Sequence, residues 1–224
     1  MIVKIKRQKS PDAEPFWQSF SYNGPLHVTI SAVLDAINYT DDLFDAEGNP
    51  ATRVRWECSC VQGVCGGCAM VINGVPALAC NTFVDAVTKT DLVLEPLSKF
   101  PVVADLMVDR SSIYENLNQA KAYIESSSVN SKRDHEHQYS VAKCLKCGLC
   151  LEVCPNYHPG ANFFGAVFAN ESYLITSQSA EKPVDLVKEY KTHFGAGCSK
   201  ALSCQTVCPA GIETITSIMK MNRK

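Results

Sequence analysis

Over the first hundred residues the apolar positions alternate or gather in short runs, which is the period of strands and turns. Residues 1–8 (MIVKIKRQ) alternate apolar and polar side chains, and residues 15–22 (PFWQSFSY) are rich in aromatics. Together they predict a hairpin pair joined through the turn region between Pro11 and Pro15. From residue 29 to 37 the spacing becomes helical, with Val33, Ala36 and Ile37 on one face and Thr29 or Ser31 as the N-cap. Residues 45–50 (DAEGNP) have turn chemistry, and residues 91–95 read as a short strand that stops at Pro96.

Beyond residue 100 the period changes to 3.6. Residues 111–126 predict one helix, and 127–138 read as a polar link carrying Lys132 and Arg133. Residues 161–169, 184–190 and 212–221 suit further helices, with Phe163, Phe164 and Phe168 on a stripe that reads as core packing. The pattern defines an α+β chain: a strand-rich domain over residues 1–100, then a helical domain over 101–224.

Composition narrows the possibilities without adding a basic face. The formal net charge of the 224 residues is −2, so the totals give no sign of a nucleic-acid partner. No apolar run approaches the roughly 20 residues that cross a bilayer. The opening MIVKIKRQKSPD lacks the apolar stretch of a secretory signal and the character of a transit peptide.

Twelve cysteines change the picture. Disulfide cysteines have no reason to sit in tight C-x2-C groups, whereas a loop that presents several thiolates to one centre requires such spacing. The first group is Cys60-x4-Cys65-x2-Cys68, with Cys80 further on, which is the plant-type spacing for a [2Fe–2S] cluster. Gly63, Gly66 and Gly67 let this loop turn tightly and bring backbone N–H groups toward the sulfurs. A four-cysteine zinc site is the rival reading, but it usually uses two C-x2-C knuckles.

The second group, Cys144-x2-Cys147-x2-Cys150-x3-Cys154-Pro155, is the bacterial ferredoxin run, whose fourth cysteine serves the other cluster of a pair. Its partner run follows as Cys198-x5-Cys204-x3-Cys208-Pro209, with Ala201 where a full run has cysteine. Cys144, Cys147, Cys150 and Cys208 then supply four thiolates, enough for a [4Fe–4S] cluster. Cys154, Cys198 and Cys204 supply three, which predicts a [3Fe–4S] cluster unless a water or another non-cysteine ligand holds a fourth iron. Cys58 is left over and reads as a passive thiol rather than a substitute ligand.

This order of sites resembles the iron–sulfur subunit of the succinate dehydrogenase/fumarate reductase family. Residues 65–70 (CGGCAM), 78–80 (LAC) and 101–109 (PVVADLMVD) agree with it. The resemblance implies a β-grasp plant-type ferredoxin domain followed by an α-helical bacterial-ferredoxin-like domain. It also implies a FAD-containing flavoprotein partner that oxidises succinate or reduces fumarate. Single electrons would pass through [2Fe–2S], [4Fe–4S] and [3Fe–4S] clusters to a quinone beside membrane-anchor subunits, which sometimes carry haem. The subunit would lie peripherally on the inner face of an energy-conserving membrane: the cytoplasmic side in bacteria, or the matrix side in mitochondria.

The family often has tryptophan shortly after the cysteine-proline and histidine directly after the first cysteine of the last group. Here residues 156–159 read NYHP, and Ser199 follows Cys198. These departures lean the reading toward low-potential quinol and fumarate reduction. They leave His158, Ser199 and Lys200 as polar candidates near a quinone, each weighed against a plain surface role. Two other readings stand beside this one: a soluble multi-cluster ferredoxin carrier, and an electron-transfer subunit of a related flavoenzyme such as a thiol-dependent fumarate reductase. His135, Glu136 and His137 are expected to be a solvated stretch, and Lys220, Arg223 and Lys224 a solvated tail.

Overall fold

The computed structural model describes residues 1–224 except Lys89, Ser126, 130–133, Lys182 and Lys224. The chain divides into two compact units, Met1–Asp109 and Arg110–Lys224. Expectations for Lys132, Arg133 and Lys224 therefore lie outside the described residues.

The first unit is built on a five-stranded mixed sheet, in the spatial order Phe16–Ser21, Ile2–Arg7, Leu92–Glu95, Ala69–Ile72, Val75–Leu78. Strands β1 (Ile2–Arg7) and β2 (Phe16–Ser21) pair antiparallel, as the alternation predicts. Every second residue of β1 is buried: Val3, Ile5 and Arg7. Helix α1 (Ile30–Asn38) is capped by Thr29, whose Oγ1 accepts from the Ala32 N–H, while Ser31 is buried. Its buried apolar face is Ile30, Val33, Leu34 and Ile37, the i, i+3, i+4, i+7 set, and Ala36 is exposed rather than on that face.

Strands β3 (Ala69–Ile72) and β4 (Val75–Leu78) form a two-residue hairpin. Its turn is Asn73-Gly74, both at positive φ, the combination a right-twisted hairpin favours. A short helix α2 (Val84–Val87) follows, then β5 (Leu92–Glu95), which runs parallel to β1 and antiparallel to β3. Strands β6 (Val102–Ala104) and β7 (Met107–Val108) make a separate small sheet, so residues 101–109 belong to this first unit.

Arg7 ties β1 to the segment that leads into the cysteine loop. Its guanidinium grips Asp105 through Nε at 3.1 Å and Nη2 at 2.8 Å, with both side chains 4% exposed. Its other N–H groups donate to Gln18 and to the Thr52 and Arg53 carbonyls. Asp105 also accepts from the Gln8 and Arg55 N–H groups. Every strong donor of a buried cation thus has a partner, as such a charge requires.

The second unit is helical. Helix α3 (Ser111–Gln119) ends well before residue 126, at a turn in which Lys121 has φ +50°. Helix α4 (His135–Ala142) occupies part of what reads in sequence as a polar link, so His135, Glu136 and His137 are helical. His137 is part-buried, its Nε2 lying 2.9 Å from Ser217 Oγ and its ring against Tyr173. The solvated reading holds for the exposed His135 and Glu136 and fails at His137, where α4 packs on its neighbours.

A short α5 (Leu149–Glu152) precedes the central helix α6 (Gly165–Gln178). Helix α6 begins later than predicted and extends nine residues further, burying Ser172 and Thr176 as well as Phe168 and Tyr173. Buried hydroxyls hide the apolar period that would have marked this length. Helices α7 (Val184–Tyr190), α8 (Ser203–Thr206) and α9 (Thr214–Met221) complete the unit. Phe164, Phe168, Tyr190, Phe194 and Ile218 share one core, with Phe163 packed against it. Lys220, on the last turn of α9, pairs with Asp134 rather than trailing in solvent.

Candidate iron–sulfur sites

Cys60, Cys65 and Cys68 lie on the loop that enters β3, and Cys80 follows β4. The Asn73-Gly74 hairpin therefore brings Cys68 and Cys80 together. Their sulfurs are 3.3 Å apart, and Ala79 N–H donates to the Cys68 carbonyl. Two thiolates on one tetrahedral metal, with bonds of about 2.3 Å, stand roughly 3.7 Å apart. Cys60 and Cys65 form a second contacting pair.

Backbone donors converge on these sulfurs. Gln62 N–H lies 3.3 Å from Cys60 Sγ and Gly63 N–H 3.2 Å from Cys80 Sγ. Gly67 and Cys80 N–H groups lie 3.5 Å from Cys65 Sγ and Cys68 Sγ. Gly63 and Gly66 adopt φ of +73° and +80°, which lets the peptide planes turn inward. A Cβ on Gly67 would stand 3.0 Å from Glu57 Oε1. The Gln62 N–H is the main reason the Cys60 thiol is lowered to about 7, whereas burial pushes Cys68 up to about 12. Cys58 is exposed, and its thiol is raised by partial burial and then by Asp35.

In the helical unit Cys144 and Cys147 lie on the α4–α5 loop and Cys150 on α5. Cys208 follows α8. These four line one cavity with Val167, Asn170, Cys204, Ile212 and Thr214. Burial pushes Cys147 up to about 11 and raises Cys150 well above the thiol range, with Cys147 and Cys144 adding repulsion. Such thiols ionise only when a cation replaces the lost water, which is what an iron core supplies.

Cys204 is also pushed up to about 11, by burial first and then by Cys154 and Cys198. Asn156 donates from Nδ2 to the Gly197 carbonyl, holding the two cysteine runs beside each other. Ala201 is exposed between Lys200 and Leu202, both at positive φ. His158, Ser199 and Lys200 are exposed. Among the described residues, no three His, Cys, Asp or Glu side chains converge closely enough for one mononuclear ion. A polynuclear core instead spreads its thiolates over several irons.

Two side chains near these sites carry no local sequence signal. His193 is buried, with Nδ1 2.8 Å from the Asn162 carbonyl, Nε2 3.0 Å from Glu189 and its ring stacked on Phe164 at 4.0 Å. It fastens the end of α7 to the entry of α6. Asn170 lies in the wall of the cavity that these four cysteines and Cys204 line. Only the polar interruption of the α6 apolar face could have marked it.

A sheet unit with one four-thiol loop and a helical unit with seven further thiols define a multi-cluster iron–sulfur protein. Residues 2–115 match the family described as a 2Fe-2S iron-sulfur cluster binding domain, and residues 140–212 match the 4Fe-4S dicluster domain. The chain is 30% identical to the succinate dehydrogenase iron-sulfur subunit of Bacillus subtilis, over 98% of this chain and 90% of that one. It is likewise 30% identical to the fumarate reductase iron-sulfur subunit of Mycobacterium tuberculosis, with the same coverage. A chain of the Mycobacterium smegmatis Sdh1 complex in the apo form shares the fold, with a TM-score of 0.77 at 23% identity over 100% of this chain and 96% of that one. The chain belongs to the family of succinate dehydrogenase and fumarate reductase iron–sulfur subunits, the electron-transfer subunits of those oxidoreductases. Among the described residues no helix is long and apolar enough to cross a membrane.

Proposed function

We propose that the chain carries single electrons between a FAD-containing succinate/fumarate subunit and a membrane quinone, using three clusters. Cys60, Cys65, Cys68 and Cys80 hold [2Fe–2S] in a β-grasp unit. Cys144, Cys147, Cys150 and Cys208 hold [4Fe–4S], and Cys154, Cys198 and Cys204 hold [3Fe–4S], in an α-helical bacterial-ferredoxin-like unit. When bound, such clusters accept and release one electron at a time, which suits a relay between a two-electron flavin and quinone.

The observation that carries this reading is the grouping of the thiols. The four thiols assigned to [4Fe–4S] line one cavity, which Cys204 also borders, while Cys204 has Cys154 and Cys198 as electrostatic neighbours and Ala201 where a fourth ligand would stand. Backbone N–H groups around the first loop, and burial around the second and third sets, both suit polyanionic cores. The anchor subunits, with or without haem, lie at the quinone end, where His158, Ser199 and Lys200 offer exposed polar groups. The chain then sits peripherally on the inner face of the membrane.

EPR of the oxidised, anaerobically prepared complex tests the assignment. The three-iron signal is expected in the wild type, and Ala201→Cys should replace it with a four-iron signal seen on reduction. A wild type without the three-iron signal overturns the assignment of Cys154, Cys198 and Cys204.

A further inference from the structure

We propose that the side-chain amide of Asn170 donates an N–H hydrogen bond into the Cys144/Cys147/Cys150/Cys208 cavity and raises the potential of the cluster held there. The proposal rests on the ligand assignment above and adds a residue that tunes it.

Asn170 is 4% exposed on the central helix α6 and forms part of the cavity wall with all four of those cysteines and with Cys204. Its Nδ2 lies 3.1 Å from Thr214 Oγ1, while its Oδ1 meets no hydrogen-bond donor among the described residues. A buried amide oxygen without a donor carries the full desolvation cost of that group. Thr214 is 2% exposed and lines the same cavity, and its hydroxyl proton needs an acceptor.

Half a turn of the amide resolves both problems. Oδ1 then accepts the Thr214 proton, and Nδ2 takes the place of the orphaned oxygen. The chemistry of the cavity selects that orientation, because an amide oxygen repels anionic sulfur and an amide N–H attracts it. Lys146, the nearby cation between Cys144 and Cys147, is already held by Glu171 at 2.5 Å. An added electron makes the cluster more negative, so a fixed donor stabilises the reduced form more than the oxidised one.

The direct test is pulsed EPR of the dithionite-reduced complex with ¹⁵N confined to asparagine side-chain amides. A ¹⁵N coupling on the four-iron signal is expected, together with an exchangeable proton. Redox titration gives a second readout. Asn170→Leu should lower the reduced-to-oxidised ratio of the four-iron centre about tenfold at fixed potential, a downward shift of about 59 mV for one electron. The [2Fe–2S] potential should stay in place, and Thr214→Val, which only releases the amide, should shift the four-iron potential less. A normal four-iron signal without ¹⁵N coupling in the wild type overturns the donor while leaving the ligand assignment standing. A wild type with no four-iron signal overturns the ligand assignment and the donor with it. The labelled wild type decides the matter even where Asn170→Leu does not assemble.

Discussion

The two units surround their thiols differently. In the sheet unit Cys65 is exposed and Cys60 half-buried, while Cys68 and Cys80 are buried and burial pushes Cys68 up to about 12. Glycine-rich backbone points N–H groups at the sulfurs there. In the helical unit the thiols line a cavity under apolar helices, and burial drives Cys147 and Cys150 away from ionisation. The first loop thus carries its own electrostatic stabilisation in the backbone. In the second set backbone N–H groups reach Cys144 and Cys147, but burial outweighs them, and Cys150 is raised by burial and by its neighbouring thiols. Metal binding and helical packing are therefore linked there more tightly.

The largest effect should come from deleting one thiol in each unit. Cys150→Ala removes a ligand from the centre of the buried set and leaves its neighbours without their shared cation. It should abolish the four-iron signal and expose the α5–α6 region to rapid hydrogen exchange. Cys60→Ala should abolish the [2Fe–2S] signal with little change in exchange of β1 or β5. Equal losses of order in both variants would erase the contrast between the units.

The second prediction concerns how the sheet unit is anchored. Arg7→Met leaves Asp105 buried and uncompensated, which should cost about 3–5 kcal/mol. Denaturant titration read through the [2Fe–2S] absorbance measures this. Adding Asp105→Asn should recover much of the loss, since it removes the stranded charge while keeping an acceptor for the Gln8 and Arg55 N–H groups at a position with φ +49°. Failure of the double variant to recover would mean that the lost Arg7 contacts, not the stranded charge, are what matter.

The grouping of the thiols was legible because such loops are local. The cysteine spacings, the glycines between them and the Asn73-Gly74 turn each act within a few residues. What escaped the sequence is long-range. Arg7 meets Asp105 across 98 positions, and Asn170 meets Thr214 across 44. Helix boundaries were lost for a related reason. Helix α6 buries Ser172 and Thr176, and α4 begins within a polar run, so hydrophobic period alone marks neither end correctly. Ala36 shows the same limit at one residue, since spacing defines a face but not how wide a face its neighbours cover.

The smallest effect should arise at His137, which extends the contrast to pH. Its ring is held below the usual imidazole range by burial first and then by the Lys220 ammonium, with Glu213 and Asp134 acting the other way. The folded helical unit therefore prefers neutral His137. That contribution is present above the ordinary imidazole value and is lost as the pH falls through it, because the unfolded chain binds the proton more readily. The Arg7–Asp105 anchor of the sheet unit has no such imidazole. On acidification from pH 7.5 to 5.5, hydrogen exchange corrected for its intrinsic rate should accelerate in α4 and α9 before it does in β1 and β5. His137→Gln keeps a polar partner for Ser217 without a titrating ring, so it should flatten that acid response. An unchanged acid response in this variant would assign the sensitivity to another group.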